Sequence, residues 1–178
     1  MKTFHSIFLA GLVLSLTQTA QTAHAQILTQ TPTQVSLSTT GGAPDGPSYL
    51  PVAGANGEGF VFESFASNLV ANDTNGRNDV FFRSKQTNQI VRASVSTSGA
   101  EGDASSSAPS MSLTLANGFY AIAFESRASS FGSIPNPSAL RNIYVRFPTL
   151  GITEIASPAL GFTLPDGDSS EPSVAAVT

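Results

Sequence analysis

The sequence predicts an all-β protein made of two successive copies of a four-stranded antiparallel unit. Three observations predict it. The chain repeats itself with a period near sixty residues. Its strand-like segments are rich in Val, Ile, Phe and Tyr, with large residues alternating as in "FVFES" and "YAIAFES", the period of two expected of strands. No stretch after the first 25 residues carries a sustained helical stripe.

The repeat is anchored at Pro51, Pro109 and Pro172, each preceded by a small, polar, Gly-containing stretch. Between the anchors, Asn56-Gly57 recurs as Asn117-Gly118, and Phe62-Glu63-Ser64 recurs as Phe124-Glu125-Ser126. "NDVFFR" (78–83) then matches "RNIYVR" (141–146), and "QIVRAS" (89–94) matches "GITEIAS" (151–157). Each copy thus holds four short strand candidates separated by Gly, Pro, Asn, Asp and Ser.

Taken in order, residues 1–25 read as a secretory signal: Lys2, an apolar run at 7–16, and the small-residue site "AHA" before Gln26. Ten apolar residues are too few to span a bilayer. The chain is therefore expected to be periplasmic or extracellular, with no membrane insertion after cleavage. Residues 26–33 read as a linker, 34–39 ("QVSLST") as a lone outer strand, 51–96 and 109–157 as the two complete units, and 172–178 as the start of a further first strand.

Composition removes several kinds of chemistry. There is no Cys, and both histidines, His5 and His24, lie in the signal region. This leaves the rest of the chain without a Ser/His or Cys/His nucleophile and without a His- or Cys-held metal. Eight Lys and Arg, Lys2 among them, face twelve Asp and Glu, so nothing draws in a phosphate backbone and nucleic acid is not an expected partner.

The units resemble the TolB-like, PD40-type (WD40-like) β-propeller repeat, in a long bacterial form of pattern "ADGRYVAFxSxASNLVxxDTNGxxDVFVRDxxTGxTxRVS". "SNLVANDTNGRNDVFFR" carries the likeness most specifically; the second copy, "GSIPNPSALRNIYVR", is more degenerate. The family's Asp-Gly is Asn-Gly here, and its Asp after the third strand is Ser84 or Phe147. The resemblance implies a partial β-propeller, two complete four-stranded blades plus flanking lone strands. It also implies a non-catalytic protein-binding or scaffolding role, with a protein partner or self-association. Two blades are too few for a ring, since closed propellers have about 4 to 8. The chain is expected to be a truncated fragment of a longer propeller with no independent function, a protomer that completes a ring by oligomerising, or an open β-structure capped by something else.

Three groups of residues are candidate sites. Asp73, Asn75 and Asp79 supply the oxygens of a calcium loop, yet Gly76 and Arg77 fall at the wrong positions for an EF-hand, and an Asn-Gly turn capped by its own side chains is the favoured reading. No cofactor is otherwise expected, calcium being the one ion that these ligand types suit. Glu63 with Arg83, and Glu125 with Arg146, are expected as cross-strand ion pairs. No catalytic residue is expected; the enzyme alternative is a carboxylate-dependent glycan hydrolase using Glu63, Glu125 or Asp79.

Overall fold

A computed structural model describes residues 33–54, 57–112, 119–132, 134–158 and 165–175. The chain divides into two units, Met1–Gln34 and Val35–Thr178, and every strand lies in the second. Residues 1–32, which hold the expected signal and most of the expected linker, and residues 176–178 lie outside the described residues.

Among the described residues there is no helix. Eight strands form two antiparallel meanders: β1 (Ser48–Ala53), β2 (Gly59–Ser64), β3 (Asp79–Ser84) and β4 (Ile90–Arg92), then β5 (Ser106–Met111), β6 (Ile122–Ser126), β7 (Asn142–Phe147) and β8 (Ile152–Ile155). The expected units of four strands are therefore present, each strand pairing with its neighbour in sequence.

Registers repeat between the sheets. Ser48 opposes Ser64 and Ser64 opposes Asp79 in the first, as Ser106 opposes Ser126 and Ser126 opposes Asn142 in the second. Each first strand has a bulge, between Tyr49 and Val52 and between Ser107 and Ser110. The residue before the anchor proline has positive φ every time: Leu50 46°, Ala108 49° and Glu171 58°. A non-glycine residue there costs about 1–2 kcal/mol, so its recurrence marks a position that the surroundings enforce.

The two central strands of sheet 1 are buried on both faces, which explains the near-continuous apolar runs of β2 and β3. One face, with Val61, Val80, Phe82 and Ala93, packs against Ile122, Phe124, Ala128, Phe131 and Tyr144 of the second repeat. Phe131 meets Tyr144 edge-on at 5.6 Å, and Phe124 stacks on Tyr144 at 6.0 Å. The opposite face carries Phe62, Ala66, Leu69 and Phe81, with Val35, Val70 and Ile90 against them. Stacking of one unit on the next thus builds the main core, as a repeat that cannot cover its own faces requires.

Two strand expectations fail. Residues 34–39 form no strand. Ser38 N–H donates to Gly42 O, Gly41 N–H to Ser38 O, and the Ser38 and Thr40 hydroxyls meet at 3.0 Å. The same bonds recur 58 residues on, from Ser96 to Ala100, Gly99 to Ser96, and between the Ser96 and Ser98 hydroxyls. The segment is therefore the connection that leads into a first strand, a turn closed by its own side chains. Of the expected segment 172–178, the described residues 172–175 form no strand either.

Candidate functional site

The Asp73–Asp79 loop and β4 assemble a charged cluster. Asn75 caps its own turn, accepting from Arg77 N–H at 2.9 Å and donating to Asp79 Oδ2 at 2.9 Å and Gly102 O at 3.0 Å. Asp79 also accepts from Ser94 Oγ at 2.6 Å. Arg92, from the end of β4, reaches three carboxylates: Glu101 at 2.5 Å, Asp79 at 3.4 Å and Asp73 at 3.7 Å. The side chains of Arg92, Asp73 and Asp79 are almost wholly buried. Burial pushes the Asp73 and Asp79 carboxyls above the ordinary value, with Arg92 pulling the other way. Glu101 is instead held down, to about 2, by the Thr74 hydroxyl and then by Arg92.

A guanidinium thus stands among the carboxylates that a calcium ion would use. Among the described residues no group of three or more acidic or histidine side chains is placed to hold a metal. The second repeat bears on the same point: it has Asn136, Asn142, Ile155 and Leu164 where the first has Asp73, Asp79, Arg92 and Glu101. All four charges disappear together, the behaviour of a compensated ionic network. Asn136 is buried, and its side-chain amide donates to Leu140 O and accepts from Leu140 N–H.

The expected ion pairs do not form, and strand parity gives the reason. Glu63 opposes Val80, whereas Arg83 opposes Phe60; the three-residue offset puts the two side chains on opposite faces of the sheet. Glu125 and Arg146 are separated in the same way, opposing Ile143 and Ile122. Arg83 donates to Val35 O at 2.7 Å and Asn88 Oδ1 at 2.8 Å. Arg146 donates to Ser96 O at 3.3 Å and Thr153 Oγ1 at 3.1 Å. Both arginines therefore fasten the segment that enters the first strand of their own sheet, Val35 before β1 and Ser96 before β5.

The glutamates do the complementary task. Glu63 Oε2 accepts from the N–H of Ala108 at 2.9 Å, and Glu125 Oε1 from the N–H of Glu171 at 2.7 Å. Each acceptor captures the positive-φ residue before the next anchor proline. Ser106 N–H donates to Asn78 O, and Ser169 N–H to Arg141 O, both at 2.7 Å. This carboxylate clasp fixes how one repeat sits on the next. Glu125 also lies 3.3 Å from Arg141, and Asp168 is 2.5 Å from Arg127.

Beside the clasp, the two first strands differ. β5 packs against β1, β2 and β3, and its Ser106, Pro109 and Met111 are buried. In β1, Tyr49, Leu50, Pro51 and Ala53 are exposed. Tyr49 is 49% exposed, Leu50 56%, and the adjacent Phe65 53%. The second repeat has Ser107, Ala108 and Arg127 at these positions. A separate cleft at the far end of sheet 1 is lined by Glu58, Phe82, Lys85, Gln89, Val91 and Tyr120, with Phe82 and Tyr120 rings 4.9 Å apart.

Comparison with known proteins finds no match: no family model, no curated protein and no solved structure is similar to this chain. The TolB-like resemblance rests on the sequence motifs alone. Reading along the chain misses Arg92 and Glu101 as partners of the acidic loop, and it misses the Tyr49, Leu50 and Phe65 patch. Laying residues 35–51 on 93–109 without a gap would have exposed Tyr49 and Leu50, which face Ser107 and Ala108, and Phe65 likewise faces Arg127 three residues after Phe62 and Phe124.

Proposed function

We propose that the two sheets are successive blades of a partial β-propeller of TolB-like type, acting as a non-catalytic protein-binding or scaffolding module in the periplasm or outside the cell. Supporting the architecture are the meander order and the face-to-face stacking. Supporting the location is the leader-like sequence at 1–25. One observation carries the binding role: β1 is exposed along most of its length, while its equivalent β5 is buried against a preceding sheet. Three large apolar side chains clustered on an uncovered strand edge are characteristic of an interaction surface.

A hydrolase would need carboxylates free to meet a substrate. Glu63 and Glu125 each hold a backbone N–H, and Asp79 is fully buried against Ser94, which favours the non-catalytic reading. Arg92 among the acidic groups likewise favours a fold that needs no calcium. The binding role is tested with a photo-crosslinking side chain placed at Phe65 and, as control, at the equally exposed Leu150. A discrete protein adduct from position 65 alone is expected; equal or absent crosslinking at the two positions would refute it.

A further inference from the structure

We infer that β1 is one half of a head-to-tail contact between two copies of this chain, the other half being the seat on β6 and β7 centred on Glu125. This rests on the protein-binding reading above and names the partner. The chain itself supplies the template. Where one repeat meets the next, a glutamate of the second strand takes the N–H of the residue before the anchor proline, and the backbone carbonyl of Asn78 or Arg141 takes a serine N–H two residues earlier. That arrangement has three incoming copies in the sequence: Ser48 to Pro51, Ser106 to Pro109 and Ser169 to Pro172. Ser106–Pro109 is seated on Glu63 and Ser169–Pro172 on Glu125.

Leu50 of the first copy has the backbone conformation of its two seated equivalents, φ 46° against 49° and 58°. Its side chain and those of Tyr49 and Phe65 are about half exposed. The incoming element is therefore already shaped for a seat. A second copy of the chain carries such a seat at Glu125.

Residues 169–175 occupy that seat within the chain as irregular backbone. They form no strand, and their described backbone anchors are the N–H groups of Ser169, Glu171 and Val174. The flanking pairs of Asp168 with Arg127 and Arg141 are exposed on both sides, and surface pairs of this kind contribute little. β1, in contrast, arrives as a six-residue strand already paired to β2, with Tyr49, Leu50 and Phe65 beside it. A partner's β1 exchanges with residues 169–175, burying Pro51 and Ala53 as Pro109 and Met111 are buried, and half-covering Tyr49 and Leu50 as Ser107 and Ala108 are, with Phe65 at the rim where Arg127 stands. The contact is heterologous, so plug and seat are different surfaces of one molecule.

That asymmetry gives the test. Light scattering on the purified protein is expected to show dimers or larger assemblies that grow with concentration. The plug variant Tyr49→Ser/Leu50→Ala/Phe65→Arg, which installs the second repeat's residues, and the seat variant Glu125→Ala should each be monomeric, with circular dichroism like that of the parent. Mixed together they should form a dimer and nothing larger, since one plug and one seat survive in the pair. Where Glu125→Ala does not fold, mass spectrometry of the position-65 photo-adduct serves instead, with crosslinks to the partner's residues 105–127 expected. Undiminished assembly of Glu125→Ala, or adducts joining position 65 to the partner's position 65 region, would mean patch-on-patch association and overturn the inference. A monomeric parent that still forms a discrete adduct with another protein would overturn it too, yet leave the protein-binding role standing.

Discussion

Replacing Arg92 by Ile, the residue at its place in the second repeat, puts the buried cluster to a quantitative test. The substitution leaves Asp73 and Asp79 buried with no cation within reach and removes the 2.5 Å partner of Glu101. Breaking a buried ionic arrangement by deleting one side typically costs about 3–5 kcal/mol, whereas replacing the whole arrangement by well-packed neutral groups is often close to neutral. With a urea dependence of about 2 kcal/mol per M, Arg92→Ile should lower the unfolding midpoint by roughly 1.5–2.5 M. The fourfold variant Asp73→Asn/Asp79→Asn/Arg92→Ile/Glu101→Leu, which copies the second repeat, should recover most of that loss despite carrying three more changes. A loss below about 1 kcal/mol for the single variant, or a fourfold variant no better than the single one, would refute the compensation argument.

Acid gives the same cluster an independent signature. A carboxyl whose folded pKa is raised contributes stability below its unfolded value and loses it as the pH climbs through the folded one; Asp73 and Asp79 behave this way because of burial. Glu101 has the opposite sign: held at about 2, it contributes fully above its ordinary 4.5 and loses that contribution as the pH falls toward 2. Arg92→Ile removes a cation that favours all three charged forms. Its deficit should therefore be largest near neutrality and shrink as Asp73 and Asp79 are protonated on the way to pH 4. Urea midpoints of parent and variant at pH 7, 5.5 and 4 measure the gap; a gap that stays constant would exclude an electrostatic origin.

Other changes test the clasp and the close approaches. Glu63→Ala should destabilise by about 1–2 kcal/mol through the lost charge-assisted bond to Ala108 N–H, and Glu63→Gln, which keeps an acceptor oxygen, should lose less than half of that in the same urea titration. Gly59→Ala should cost about 1–3 kcal/mol or prevent folding, because a Cβ there collides with the Arg83 carbonyl oxygen and the Phe82 ring where β2 pairs with β3; an unchanged midpoint would contradict the tight pairing. Calcium at about a hundred times a micromolar Kd would add roughly 2.7 kcal/mol to a protein that bound it, so melting temperatures in calcium and in EDTA should agree within about 1 °C, and a calcium-dependent rise of several degrees would restore the loop as a metal site.

Local pattern made the strands legible. "FVFES", "NDVFFR", "YAIAFES" and "RNIYVR" each carry the alternation and β-branched or aromatic content of a strand, and all four are strands. Residues 34–39 look similar in composition but are governed by Ser38, Thr40 and Gly41, whose hydroxyls and positive φ close a turn. Side-chain chemistry against the backbone outweighed the weak strand preference of Val35 and Leu37. The pairing of Glu63 with Arg83 was drawn from recurrence alone, and recurrence says only that both residues matter in each copy. Parity decides which face each occupies once the register is known: Phe62 and Phe81 oppose one another, so Glu63, one residue past Phe62, and Arg83, two residues past Phe81, cannot share a side.

The functional groups of this chain are conserved between its copies where they join repeats and diverge where they face inward or outward. Glu63 and Glu125, and Ser64 and Ser126, keep both identity and bonding, and Arg83 and Arg146 keep their identity while bonding different positions of the segment before their own first strand. The Arg92 cluster, by contrast, is charged in one copy and neutral in the other. A joint tolerates little change because each half must fit the next repeat's backbone, whose N–H and C=O groups do not vary with sequence. An internal cluster is free to drift provided its members drift together, since a single survivor would be a buried unpaired charge. The exposed β1 follows neither rule: its joint geometry is intact while its surface has gained Tyr49, Leu50 and Phe65. Solvent alone gives no reason to keep three large apolar side chains there, whereas an interaction surface does.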